Sequence, residues 1–272
     1  MASCPSGTLR VGGYLQLTAR PTGSAAKRPN LGIEISGVWD ASTDAAKATQ
    51  LPAGIVHLWK KPFDASPVEM ERCYEVLSPE ERARSQRFLV EPPRRAFILT
   101  RGTLRLLLGK YLDVEPRNIS FRYAQFGKPL LDEGNELQFN VSHTDGVALL
   151  AFVRGPELGV DVEKIRPVRD LKDLANRFFS VDEREKLNKL DAEDLHSAFF
   201  RCWTRKEAYI KGKGEGLSIP LHQFDVSLEP EETQALMATR PEASEAGRWL
   251  VRDISFDPSY AAAVAIEVTA VV

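Results

Sequence analysis

Asp161 and Glu163 stand two residues apart in "LGVDVEKI", and Glu207 and Lys211 stand four apart in "KEAYIK". On a strand, a spacing of two points both carboxylates to one face and leaves Val160 and Val162 on the other. On a helix, a spacing of four projects Glu207 and Lys211 from one side. Neighbouring carboxylates repel unless a cation sits between them. The donors are all oxygens, which favours magnesium, with manganese as a substitute, over zinc or iron. Magnesium completes its shell with water and substrate phosphates. Three carboxylates around one divalent ion leave about one negative charge over, and a bound phosphate ester adds more, so the site needs cations. Lys211 is one. Lys128 in "FGKPLL", His143 in "FNVSHTDG", and Arg82, Arg84, Arg94 and Arg95 are the others on offer.

Each of these residues also has a plain structural reading. Glu207 and Lys211 can be a solvated i,i+4 pair, and D-x-E can be a charged strand edge. An arginine on a helix face is more often solvated than functional, and a lone histidine at a strand end is more often a structural hydrogen bonder. One feature tilts the choice. Counting a helical stripe from Phe199, the core-facing positions are Cys202, Trp203, Lys206, Glu207 and Ile210. Two charges fall inside an apolar stripe, where an unpartnered charge is expensive, so an ion or a charged ligand is expected there.

The elements that must hold these groups follow from local signals. "GIVHLW" alternates like a strand, and "ISFRYAQFGKPLL", "LQFNVSHTDGVALLAFV" and "LGVDVEKI" read as strands between Gly, Pro and Asp-Gly turns. "LSPEERARSQRFL" opens a helix with a capping box from Ser78 to Glu81 and Pro79 at the first helical position. A second helix runs through "RRAFILTRGTLRLLLGKYL" after Pro92 and Pro93. "FSVDEREKLNKL" repeats the capping box with Ser180 and Glu183, an offset of 102 that also carries Arg82 to Arg184, Ala96 to Ala198 and Phe97 to Phe199. The same offset sets "IVHLW" near "LGVDV". The expectation is an α/β (α+β) protein of two pseudo-symmetric halves, residues 54–157 and 158–272, with a cleft between them and the metal site in the second. Residues 1–53, rich in Ala, Ser, Thr, Gly and Pro, read as a loosely ordered extension, although "LGIEISGVW" within it can form a strand.

The chain has 272 residues, 43% hydrophobic and 27% charged, which suffices for a buried core. Its formal net charge of -2 removes the usual electrostatic reason to expect nucleic acid or an anionic membrane as partner. Cys4, Cys73 and Cys202 form neither a disulfide framework nor a zinc motif. No apolar run reaches the ~18 residues of a membrane span and the start of the chain lacks the apolar core of a signal peptide, so a cytoplasmic protein is expected.

From about Ile55 onward the segments "FGKPLL", "FNVSHTDG", "GVDVEKIRP", "RFFSVDE" and "FFRCWTRKEAYIKGKGEGLSIPL", in this order, resemble the surfactin-type 4′-phosphopantetheinyl transferases. The resemblance implies a monomer of two α/β halves that binds coenzyme A between them. Such an enzyme transfers the phosphopantetheine arm to a serine of an apo acyl or peptidyl carrier protein, releasing adenosine 3′,5′-bisphosphate. The carriers of the family serve fatty-acid, polyketide or nonribosomal peptide synthesis. Carried over by motif, Asp161, Glu163 and Glu207 resemble the magnesium ligands, with Glu207 also a candidate base for the carrier serine. Lys211 resembles the lysine that meets the phosphate under attack. Gly127, Lys128 and Pro129 resemble the adenine-side loop, and Ser142 with His143 the nucleotide contact. Arg84, with Arg94 or Arg95, resembles the basic group around the 3′-phosphate. Glu81 departs from the pattern, since relatives often carry a further basic residue there. Glu183 matches a family glutamate, but its capping box is enough to explain it. Metal-dependent nucleases also combine D-x-E with a Glu and a Lys, though this chain has no basic stripe. A non-catalytic coenzyme A or carrier binding module is the other rival, and it would be expected to have lost acidic ligands that are all present here.

Overall fold

The structure is a computed structural model that describes residues 34–268, apart from positions 43, 45–47, 49 and 231. Most of the stretch read as an extension, residues 1–33, lies outside the described residues. Its last part does not lie apart from the sheet: Glu34–Asp40 forms β1, parallel to β2 (Ile55–Pro62), with Trp39 opposite Trp59.

Beyond β2 come α1 (Pro67–Glu75), α2 (Pro79–Ser85) and α3 (Glu91–Leu112). Ser66 caps α1, and the Ser78–Glu81 capping box of α2 forms with both of its reciprocal bonds. The short β3 (Arg122–Tyr123) and β4 (Pro129–Leu130) make a separate hairpin, followed by β5 (Leu137–Thr144) and β6 (Val147–Arg154). Asp145 and Gly146 turn β5 into β6, with Gly146 at φ +89, where a residue without a side chain fits most readily. The sheet order is β1-β2-β6-β5.

The second half retraces this order. β7 (Leu158–Lys164) is followed by α4 (Leu171–Phe178), α5 (Val181–Leu187), α6 (Ala192–Lys213), the hairpin β8 (Phe224–Val226) and β9 (Leu236–Thr239), α7 (Glu245–Arg248), β10 (Trp249–Asp253) and β11 (Tyr260–Glu267). α5 opens on the Ser180–Glu183 capping box, and α2 and α5 both span 7 residues while α3 and α6 both span 22. The sheet order is β10-β11-β7, antiparallel throughout. The chain is thus a two-halved α/β protein, as the internal offset anticipated.

Layering explains the unbroken apolar run of β6. Ala148, Leu150 and Phe152 pack with Leu104, Leu107 and Leu108 of α3, whereas Val147, Leu149, Ala151 and Val153 face the second sheet. There they meet Leu158, Val160 and Val162 of β7 and Val264 and Ile266 of β11. With both faces buried, the strand carries no polar alternation. The far side of the second sheet packs against α6 through Ala263, Ala265 and Val251. That is the side to which Asp161 and Glu163 point, because they alternate with the valines of the inter-sheet core.

Candidate active site

Two glycines bring α6 against β7. A Cβ on Gly159 would run into the backbone oxygen of Ala208 and the backbone nitrogen of Gly212, and a Cβ on Gly212 would come within 2.5 Å of the Trp249 ring. Only side-chain-free positions allow this approach. The approach carries Lys211 to β7: its Nζ donates to Asp161 Oδ1 at 2.5 Å and to Ser142 Oγ at 3.0 Å. Ser142 Oγ in turn donates to Asp161 Oδ1 at 2.8 Å, so one carboxylate oxygen takes two donors. The other, Asp161 Oδ2, is buried and has no hydrogen-bond partner. Glu163 Oε2 accepts from Thr144 Oγ1 at 3.2 Å.

The carboxylates feel one another. Burial and the Asp161 charge, with a smaller contribution from Glu163, push the Glu207 carboxyl up to about 7 against the pull of Lys211. Burial and Asp161 likewise raise Glu163. His143, exposed at the end of β5, is held below the usual imidazole value by desolvation and, less strongly, by the Lys211 ammonium. Among the described residues no group of three or more His, Cys, Asp or Glu side chains stands close enough together to hold a metal ion as placed. The fit to a divalent cation rests on other observations: an all-oxygen donor set, an orphaned Asp161 Oδ2, and carboxyls whose mutual repulsion a cation would relieve.

Lys206 and Glu207, adjacent in the core stripe, separate. Lys206 is fully buried and turned away from the cluster: Nζ donates to the carbonyls of Leu221 and Phe224 at 2.7 and 2.6 Å and pairs with Glu183 Oε1 at 2.8 Å. Glu183 Oε2 closes its capping box on Ser180 N at 2.9 Å, while Oε1 also accepts from Val226 N at 2.7 Å. The partner expected for the buried charge is therefore internal for Lys206. Glu81 is treated alike in the first half, with Arg105 Nε at 2.6 Å and Arg101 also on its carboxylate. The acidic residue that departs from the family pattern is thereby neutralised from α3.

Lys128 ties its loop to the second half, donating to Glu157 Oε2 at 2.8 Å, Gly212 O at 3.1 Å and Leu158 O at 3.3 Å. Gly127, at φ +82, gives the turn before it, and Pro129 starts β4. The arginines differ in occupation. Arg95 is spent on the carbonyls of Phe63, at 2.6 Å, and of Ala65. Arg94 has an exposed pair with Glu91 at 3.3 Å, and exposed Arg84 lies over the Phe97 ring of α3, 5.1 Å from its centroid. A cavity of about 600 Å³ lies elsewhere, at the β10–β11 connection beside Arg201 and Tyr260, and none of the clustered side chains lines it. Asn140 and Thr144 were not singled out in the sequence, although N-x-S-x-T along an apolar strand was the signal that marks them.

Known proteins align with both halves. Residues 157–265 match the 4′-phosphopantetheinyl transferase superfamily, and residues 61–154 match the N-terminal part of a 4′-phosphopantetheinyl transferase. Over 214 residues the chain is 39% identical to the 4′-phosphopantetheinyl transferase HetI of a Nostoc species, covering 78% of this chain and 87% of that protein. The chain belongs to the 4′-phosphopantetheinyl transferase family. It is 34% identical over 176 residues to a putative transferase of the same name from a Synechocystis species, across 64% of this chain and 70% of the relative. It is also 31% identical over 163 residues to the 4′-phosphopantetheinyl transferase Sfp of Bacillus subtilis, across 60% and 71% of the two chains. Membership makes this chain a transferase that uses coenzyme A, and the resemblance read from the motifs holds.

Proposed function

We propose that the chain moves the 4′-phosphopantetheine arm of coenzyme A onto a serine of an apo carrier protein at the cluster where β7 meets α6. The observation that carries this reading is the contact of Lys211 with Asp161 beside a Glu207 carboxyl pushed up to about 7. Cation, carboxylate and proton acceptor are brought together by the D-x-E strand and the helix of the K-E-x-x-x-K motif.

In the transfer, the carrier serine oxygen attacks the phosphorus bearing pantetheine. The bond from that phosphorus to the bridging oxygen breaks, and adenosine 3′,5′-bisphosphate leaves with the bridging oxygen. Lys211, fixed by Asp161 and Ser142, supplies positive charge to the phosphoryl oxygens as the bond changes. Glu207 accepts the serine proton, directly or through a water. Its value near 7 belongs to the site without a cation, and because a bound cation lowers it the water-mediated route is favoured. Asp161, Glu163 and Glu207 would hold magnesium, or manganese in its place, and the chemistry that ion supplies when bound is neutralisation of the pyrophosphate. The buried Ser142 hydroxyl is engaged by Asp161, Lys211 and Val162 N, and serves the cluster rather than the nucleotide. His143, exposed on β5, would face the nucleotide, with Gly127, Lys128 and Pro129 on the adenine side. Because the Lys128 ammonium is already bonded to Glu157 and Gly212 O, its part is to hold that loop in place. Arg84 and Arg94 suit the 3′-phosphate better than Arg95, whose guanidinium is occupied by backbone carbonyls.

The net charge of -2 supports carriers rather than nucleic acid or an anionic lipid surface as partners, and no described helix is long and apolar enough to cross a membrane. A cytoplasmic, monomeric enzyme is part of the same proposal. Intact mass of an apo acyl carrier protein incubated with the protein, coenzyme A and magnesium tests the function. One added phosphopantetheine group that EDTA prevents is the expected result. Unchanged mass for several unrelated carriers, with coenzyme A still bound, would replace the enzyme by a binding module.

A further inference from the structure

β5 and β7 meet at their edges, and three β5 side chains at a spacing of two make the join. Asn140 Oδ1 accepts from Val160 N at 2.9 Å, Ser142 Oγ from Val162 N at 3.4 Å and Thr144 Oγ1 from Lys164 N at 3.3 Å. The acceptors on one strand match every second N–H of the other, so a comb of side chains stands where a backbone ladder would run. This comb bonds the first half to the second.

Two of its teeth do more. Ser142 and Thr144 each direct their single hydroxyl hydrogen at a carboxylate, Asp161 Oδ1 at 2.8 Å and Glu163 Oε2 at 3.2 Å. A hydroxyl has one hydrogen and two lone pairs, so accepting the β7 N–H and donating to a β7 carboxylate are compatible and together fix the side chain. Asn140 accepts its β7 N–H with an amide oxygen and has no comparable bond to either carboxylate. The bonds on Asp161 Oδ1 leave Oδ2 as the carboxylate's buried oxygen without a hydrogen-bond partner.

We propose that Ser142 and Thr144 are positioning residues that aim the Asp161 and Glu163 carboxylates at a divalent cation. The same hydroxyls join the halves, so metal affinity depends on that junction. This rests on the reading that these carboxylates hold the metal. Groups that orient ligands in this way commonly change metal affinity by about 10–100-fold when removed.

Asn140 provides the internal comparison, since its loss removes an inter-half bond without touching a carboxylate. The measurement is Mn2+ binding with saturating coenzyme A, followed by loss of the free-ion electron paramagnetic resonance signal against a protein-free coenzyme A blank. Thr144→Val and Ser142→Ala should each raise the dissociation constant about 10-fold or more. Thr144→Ser, which keeps the hydroxyl, should stay within about threefold of wild type, and Asn140→Ala within about twofold despite a lower melting temperature. Should Ser142→Ala not fold, the Thr144→Val and Thr144→Ser pair carries the test alone. Wild-type affinity in Thr144→Val, or equal weakening in Asn140→Ala, overturns the positioning role. Glu163→Gln separates the two levels: if it binds Mn2+ like wild type, the metal reading fails and takes the positioning role with it.

Discussion

Burial treats Lys206 and Glu207 differently although they are adjacent. Lys206 finds three oxygen acceptors inside the second half, Leu221 O, Phe224 O and Glu183, whereas Glu207 sits among like charges and rises to about 7. Removing one partner of a buried pair leaves the other uncompensated, at about 3–5 kcal/mol. Lys206→Met should lower the urea-unfolding free energy by about that amount while coenzyme A affinity of the folded protein stays unchanged. Unaltered stability would show that the pair contributes little. His57 gives a second residue-scale expectation. Its Nδ1 lies 2.7 Å from Tyr111 Oη, which also accepts from Trp59 Nε1 at 2.9 Å, so the tyrosine proton is free to be donated to the imidazole. Burial lowers the His57 pKa from 6.5 to about 4. The unfolded chain then binds the proton first as pH falls, so stability is complete above the unfolded pKa and declines from about pH 7 toward the folded pKa near 4. Between pH 7.5 and 4.5, wild type should lose about 2–3 kcal/mol more unfolding free energy than His57→Gln. Equal losses would remove His57 as the source.

At the scale of elements, the strand–helix contact that makes the cluster depends on Gly159, whose place a Cβ would dispute with the backbone of α6. Backbone yields less readily than side chain, so Gly159→Ala should destabilise by at least about 2 kcal/mol and shift Lys211 off Asp161. Both effects should appear together, as a lower melting temperature and lost turnover. Full activity would mean that the helix can retreat without opening the site. What could be read in advance divides along the same line. Capping boxes are local bonds within four residues, so Ser78–Glu81 and Ser180–Glu183 were visible in the sequence and form as read. The D-x-E spacing fixed a shared face for Asp161 and Glu163 for the same reason. The fates of Lys206 and Glu207 were not legible, because helical spacing puts both in one stripe and only the packing of β8 and α5 separates them. Nor was the place of β1 in the sheet, since a parallel edge strand is set by its pairing with β2 and not by its own pattern. Asn140, Ser142 and Thr144 were plain in the text, but their meaning lies on a strand about twenty residues further on.

Across the whole molecule, each half neutralises a capping-box glutamate from its long helix, Glu81 by Arg105 and Glu183 by Lys206, and each packs that helix on its own sheet. The halves then diverge in use. On the proposed reading, the first contributes the comb on β5, the Lys128 loop and the α2–α3 arginines, and the second contributes the acidic strand and Lys211. Substrate held by both halves and chemistry carried out by the second is the division this arrangement supports. Glu207→Gln tests it most directly, with turnover on an apo carrier and the coenzyme A dissociation constant measured on the same preparation. A carboxylate that takes the serine proton and helps hold the metal should, when made an amide, cost at least about 100-fold in kcat. Coenzyme A affinity should stay within about threefold, because most of its contacts lie elsewhere. Turnover near that of wild type would contradict the account and remove the β7–α6 cluster as the reacting centre.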